Sequence, residues 1–225
     1  MVSARPKLVP SAAEVARRLR KCYGRPGPPK PQGLVGTLVL TVLSQNTTSR
    51  NARLAFQRLR ERFPRWEDVA AGPEPEIEST IRPAGLARQR ARTIKRLLAL
   101  LLAEDPSLEL SQLRRLPTPQ LMDWLQQLPG VGPKTAACVA LFELGRPVFP
   151  VDTHVARISR RLGWCPAAAP PESIQRALEP AVPPRLRFEL HVNLIAHGRL
   201  ICRPSRPSCD RCILAVLCPS AGRVP

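Results

Sequence analysis

Six side chains carry most of the chemistry this sequence offers: Lys134, Asp152 and the cysteines Cys202, Cys209, Cys212 and Cys218. A lysine attacks carbon only as the free amine, so its surroundings must disfavour the ammonium form. The run Leu128-Pro129-Gly130-Val131-Gly132-Pro133-Lys134-Thr135-Ala136 supplies such surroundings. Pro133 suits the first turn of a helix, where a missing N–H costs little. Lys134 then sits at a helix start, whose partial positive charge disfavours a second cation. Asp152, in Val151-Asp152-Thr153-His154-Val155-Ala156-Arg157, precedes an amphipathic segment that ends near Gly163. A helix start there would be capped by the aspartate and would keep it ionised. A helix over 134–145 carries the chain about 17 Å away, and an extended 146–152 can return about 20 Å. Amine and carboxylate can therefore share one cleft. Taken singly, Lys134 also suits plain phosphate binding, and Asp152 a plain cap.

The four cysteines follow the spacing C-x6-C-x2-C-x5-C within 17 residues. The chain reads as intracellular, where disulfides are not the reason for such a set. A metal ion or a cluster is, and from ligand chemistry alone zinc and iron–sulfur both suit four thiolates. Cys22, Cys138 and Cys165 read as buried or incidental cysteines.

The elements that must position these groups are helices almost throughout. Ser11 with Glu14 three residues on fits a capping box, opening a helix to about Tyr23. A Pro/Gly-rich linker spans 24–33. The nearly all-apolar 34–43 is assigned to a helix, because no partner strand is evident. Further helices are predicted at about 50–63, 74–81, 87–103 and 119–128, the last with Thr118 as N-cap. The 27 prolines fall mostly between these segments or in first turns. The fold class is all-α. The turn at Gly130, Val131 and Gly132, closed by Pro133 to Thr135, resembles a helix–hairpin–helix motif, which offers backbone N–H groups to a DNA phosphate.

The 225 residues include 35 Lys plus Arg against 17 Asp plus Glu, a net charge of +18, which points to a polyanionic partner. Hydrophobic residues make up 44% and aromatics 4%, so the core must be mostly Leu, Val and Ala. No apolar run reaches the roughly 18 residues of a membrane span. The basic N-terminus lacks the apolar stretch of a secretion signal. The expectation is a cytoplasmic, nucleoid-associated monomer with no membrane partner.

Together the hairpin, Lys134, Asp152 eighteen positions later and the cysteine spacing resemble the endonuclease III family over 34–219. The resemblance implies two lobes: a six-helix barrel with the helix–hairpin–helix motif over 36–146, and an iron–sulfur cluster domain from 1–35 and 147–225, with a cleft between. It implies a [4Fe–4S] cluster on Cys202, Cys209, Cys212 and Cys218. It implies that Lys134 attacks C1′ of a flipped nucleotide, assisted by Asp152, and that the resulting Schiff base undergoes β-elimination on the 3′ side. Superfamily members that only remove the base lack this lysine. Implied DNA contacts are Gly130, Val131, Gly132, Thr135 and His154, with Arg203 and Arg206 in the loop between the first two cluster ligands. The His197-Gly198-Arg199 run leads into the cluster, with His197 structural. Asn46 stands where the family has a gap-filling Gln, with Gln45 adjacent, and Ser49 replaces a usual Asp. Leu86 is the wedge candidate. Arg88, Arg90, Arg92, Lys95 and Arg96 would follow phosphates or form a solvated face. The implied partner is double-stranded DNA with damaged bases, oxidised pyrimidines above all, or abasic sites. A monofunctional mismatch or alkylated-base glycosylase, and a non-enzymatic metal-stabilised DNA-binding protein, are the alternatives.

Overall fold

The computed structural model describes residues 9–27 and 32–223. The predicted 24–33 linker therefore lies partly outside the described residues. Among these residues there are helices and no strands. In chain order they are α1 (Ala12–Tyr23), α2 (Leu34–Ser44), α3 (Ser49–Arg62), α4 (Trp66–Ala71), α5 (Glu74–Ile81), α6 (Ala87–Glu104), α7 (Thr118–Gln126), α8 (Pro133–Phe142), α9 (Thr153–Arg161), α10 (Pro171–Ala181) and α11 (Pro184–Leu200). None is long and apolar enough to cross a membrane. The chain divides into two compact units, Pro29–Arg146 and the pair of segments Met1–Pro28 and Pro147–Pro225.

In the unit Pro29–Arg146, α2 lies at the centre, packed by α3, α6 and α8. Seven of its eleven residues are buried, which is why its sequence lacks a polar face. α6 is the longest helix of this unit. Its buried Arg90, Ala91, Ile94, Leu97, Leu98 and Leu101 form one stripe at three- and four-residue spacing. Each fully buried leucine contributes about 1.5–3 kcal/mol relative to exposure. α7 and α8 pair as the hairpin. Thr118 is the first residue of α7 and Pro117 holds the cap position without a side-chain bond, so Thr118 is not the N-cap. α8 stops at Phe142, before Gly145. The chain reverses at Gly145 (φ 63°), and the Arg146 N–H takes the Ala140 carbonyl at 2.8 Å.

In the other unit α1 packs on α11, α11 on α9, and α9 on α10. Leu19, Phe149, Ile158, Ile174, Leu190 and Leu194 belong to its core. Ser11 caps α1 through the Glu14 N–H at 3.2 Å. The Glu14 carboxylate turns to Arg17 and Arg18. α10 and α11 were not individually legible in the sequence. α11 is flanked by α1 and α9, and its buried set mixes Leu190 and Leu194 with His191, Asn193 and His197, so no clean apolar stripe marks it. Gly198 permits the close approach to α9, since a Cβ there would lie 2.8 Å from the His154 Cβ.

Candidate active site

The hairpin is fixed by two constraints on Gly130. Its φ is 76°, and an added Cβ would stand 2.7 Å from the Thr93 Cγ2. Val131 is 4% exposed and its N–H is bound to the Leu128 carbonyl at 3.1 Å, so it seats the turn rather than offering a donor outward. The first intrahelical bond of α8 runs from the Ala136 N–H to the Gly132 carbonyl at 2.9 Å. The N–H groups of Gly132, Lys134 and Thr135 precede it, the arrangement that receives an anion at a helix start. Thr135 is buried and Lys134 exposed. The sequence thus delivers an exposed amine on a rigid first turn beside a set of backbone donors.

Two exposed turns belong to the same unit. At the end of α2, Gln45 donates from Nε2 to the Gly130 carbonyl at 2.8 Å, tying this turn to the hairpin. Asn46 is exposed and has φ 48°. At the start of α6, Leu86 is 62% exposed with φ 47°. A left-handed, exposed leucine is unfavourable on both counts. The five cations that follow do not form one surface. Arg88 and Arg96 are exposed, Arg92 binds Glu74 at 2.8 Å, Lys95 donates to the Gly72 carbonyl, and Arg90 is buried. The expectation that all five face phosphate or solvent fails for Arg90, because the end of α2 covers its side chain.

In the other unit Asp152 caps α9, its Oδ1 accepting from the Val155 N–H at 2.8 Å. His154 accepts at Nδ1 from Arg157 at 3.1 Å. Arg157 also donates to the Cys202 and Gly198 carbonyls at 2.9 and 2.8 Å. Arg161 donates to the Cys202 Sγ at 3.2 Å and to the Arg203 and Pro204 carbonyls at 2.7 and 2.8 Å. Arg157 and Arg161, one turn apart on α9, therefore bolt the 202–204 segment to the helix that Asp152 caps. Their i, i+4 spacing was the signal available in the sequence. Arg203 and Arg206 are themselves exposed.

Cys202, Cys209, Cys212 and Cys218 line one cavity, together with Arg161 and Ile201. Among the described residues no three His, Cys, Asp or Glu side chains gather as a single bound ion requires. His197, 1% exposed, lies beside the cavity with Nε2 3.3 Å from the Cys212 Sγ and Nδ1 3.0 Å from the Tyr23 hydroxyl. Burial lowers the His197 pKa to about 4, so the ring is neutral at physiological pH. Burial pushes the Cys212 thiol up to about 11, partly offset by the Leu214 N–H and reinforced by Cys202, Cys218 and Cys209. Of the other cysteines, Cys138 is buried, Cys165 half-buried and Cys22 exposed.

The chain is similar to an Arabidopsis thaliana protein to which a DNA glycosylase function is ascribed, at 40% identity over 75% of this chain and 58% of that protein. It thus spans little more than half of that relative's length. It is 32% identical to endonuclease III of Thermotoga maritima over 91% of both chains. A trapped covalent intermediate of endonuclease III with DNA superposes with a TM-score of 0.81 at 30% identity, covering 94% of this chain and 95% of that one. Residues 39–184, well over half of the sequence, match the hairpin-bearing superfamily as a whole. The chain is a member of the HhH-GPD superfamily of base excision DNA repair proteins, with endonuclease III among its homologues.

Proposed function

We propose that this protein is a bifunctional DNA glycosylase and abasic-site lyase. The observation that carries the reading is the exposed Lys134 amine on the first turn of α8, beside the Gly130–Gly132 turn. The Nζ lone pair forms a bond to C1′ as the C1′–base bond breaks and its electron pair leaves with the base. An amine proton passes to O4′ as the C1′–O4′ bond opens, giving a protonated Schiff base on Lys134. Loss of a C2′ proton then expels the 3′ phosphate, cutting the strand by β-elimination, and water hydrolyses the imine to release the aldehyde and the Lys134 amine. Asp152, at the start of α9, assists the amine and steadies the developing positive charge at the sugar. The reading requires both side chains to serve one nucleotide. Similarity to endonuclease III caught covalently on DNA supports it.

Double-stranded DNA is the partner in this reading. The donors at the start of α8 hold a phosphate, Asn46 fills the gap left by the extruded nucleotide, and Leu86 wedges the stack. Asn46 is preferred to Gln45 for this role because the Gln45 amide is engaged by Gly130. Arg203 and Arg206 add backbone contacts, and His154 on α9 adds another. Oxidised pyrimidines are the expected substrates.

The four-cysteine cavity fits a [4Fe–4S] cluster better than zinc. A single zinc needs its thiolates to converge on one point, whereas a four-iron cluster gives each thiolate its own iron. The donor set is all-thiol, as iron–sulfur clusters take. When bound, the cluster cross-links 202–218 and thereby fixes the loop carrying Arg203 and Arg206. A brown protein with broad visible absorption and about four irons per chain supports this, and a colourless protein with one zinc overturns it.

The activity is tested on a duplex carrying one oxidised pyrimidine. The expected products are the free base and a strand ending in a 3′ unsaturated aldehyde. An intact abasic strand, cut only after alkali, would indicate a monofunctional glycosylase. Binding without loss of the base would leave only a DNA-binding protein.

A further inference from the structure

We propose that Arg90 is a positioning residue that holds the two duplex-facing turns, 44–46 and 85–86, in one fixed arrangement, so that they enter the DNA as a unit. This rests on the reading of Asn46 and Leu86 given above. Arg90 is 5% exposed, so it is not a surface cation awaiting a phosphate. Its donors are spent on backbone carbonyls from two elements. Nε donates to Gly85 at 2.7 Å, Nη1 to Val42 at 2.8 Å and to Leu43 at 2.5 Å, and Nη2 to Gln45.

The α2 carbonyls lie in its last turn or just beyond it, where intrahelical N–H groups run out; the Val42 carbonyl keeps only a long bond from the Gln45 N–H, at 3.4 Å. A buried cation is favourable there because the helix end carries partial negative charge. The Gly85 carbonyl belongs to the turn that throws Leu86 into its left-handed conformation. The Arg90 backbone N–H takes the Leu86 carbonyl at 3.0 Å, so side chain and main chain grip that turn together. Gln45 extends the link to a third element. Its carbonyl accepts from Arg90 while its side-chain amide donates to Gly130. One guanidinium thus joins the gap-filling turn, the wedge turn and the phosphate-binding hairpin. Only a planar fork with five donors can reach so many acceptors; a lysine ammonium offers three donors and no fork.

The test separates extrusion of the nucleotide from chemistry on it. Single-turnover nicking is measured on a fully paired duplex with one abasic site, and on the same site in an unpaired bubble where nothing need be unstacked. Arg90→Met is expected to lose roughly a hundredfold in rate on the paired duplex while keeping most of its rate in the bubble. Arg90→Lys is expected to fall between Arg90→Met and the parent on the duplex. Should Arg90→Met fail to fold, Arg90→Lys decides by the same ratio. Equal losses on both substrates, or no loss on either, overturn the proposal. Extrusion is also read without chemistry, from the fluorescence of 2-aminopurine at the target position on binding. A parent protein that extrudes but never nicks refutes the lyase reading and leaves Arg90 to be judged by fluorescence. Arg90 variants that extrude as well as the parent refute the role of Arg90.

Discussion

Gly130 illustrates how a single position can be fixed from two directions. A side chain there meets both a left-handed backbone and the Thr93 methyl at 2.7 Å. Gly130→Ala is therefore expected to lower stability by about 1–3 kcal/mol, read as a lower denaturant midpoint at unchanged slope. It should also weaken DNA binding, because the turn and the Gln45 contact must shift together. A variant as stable as the parent would mean that the turn is not under this constraint. Leu86 stands under a comparable backbone constraint and is 62% exposed, which suits the wedge role proposed for it. At this scale the sequence was informative where chemistry is local: the glycines, Lys134 and the cysteine spacing are all read from neighbours in the chain. It was misleading at Arg90. A charged residue among Arg88, Arg92 and Arg96 looks like surface until the end of α2 is placed over it.

On the proposed function, the start of helix α9 carries two separable roles. The Asp152 Oδ1 caps it through Val155, and the same carboxylate is assigned to the reaction. Asparagine caps about as well as aspartate but carries no charge. Asp152→Asn is thus expected to keep the thermal midpoint while losing most of the nicking rate. Asp152→Ala should lose the rate and about 1 kcal/mol of stability as well. Full activity in Asp152→Asn would reduce the residue to a cap. The periodic helices, α1, α3, α5 and α6, were legible to within a residue or two. α11 was not, because two neighbours bury it and polar His191, Asn193 and His197 interrupt its apolar pattern. The i, i+4 spacing of Arg157 and Arg161 marked them as a pair, but their targets in 202–204 were hidden, because backbone acceptors leave no trace in side-chain composition.

The whole molecule is dominated by its charge of +18. Affinity for duplex DNA should fall steeply with salt, by about a thousandfold or more between roughly 50 and 200 mM if six or more phosphates are neutralised. Replacing Arg203 and Arg206 together by alanine should reduce the slope of log affinity against log salt by roughly two, without changing preference between damaged and undamaged DNA. An unchanged slope would place that loop off the backbone. Superfamily membership and the all-helical fold follow from the chain as a whole, whereas the proposed reaction depends on a single amine. That amine is tested most directly by borohydride reduction of the protein on duplex DNA with one abasic site, followed by mass mapping of the cross-linked peptide. A stable adduct carried by Lys134, and absent from Lys134→Gln, is the expected result. No adduct, or an adduct on another residue that persists in Lys134→Gln, would contradict the account.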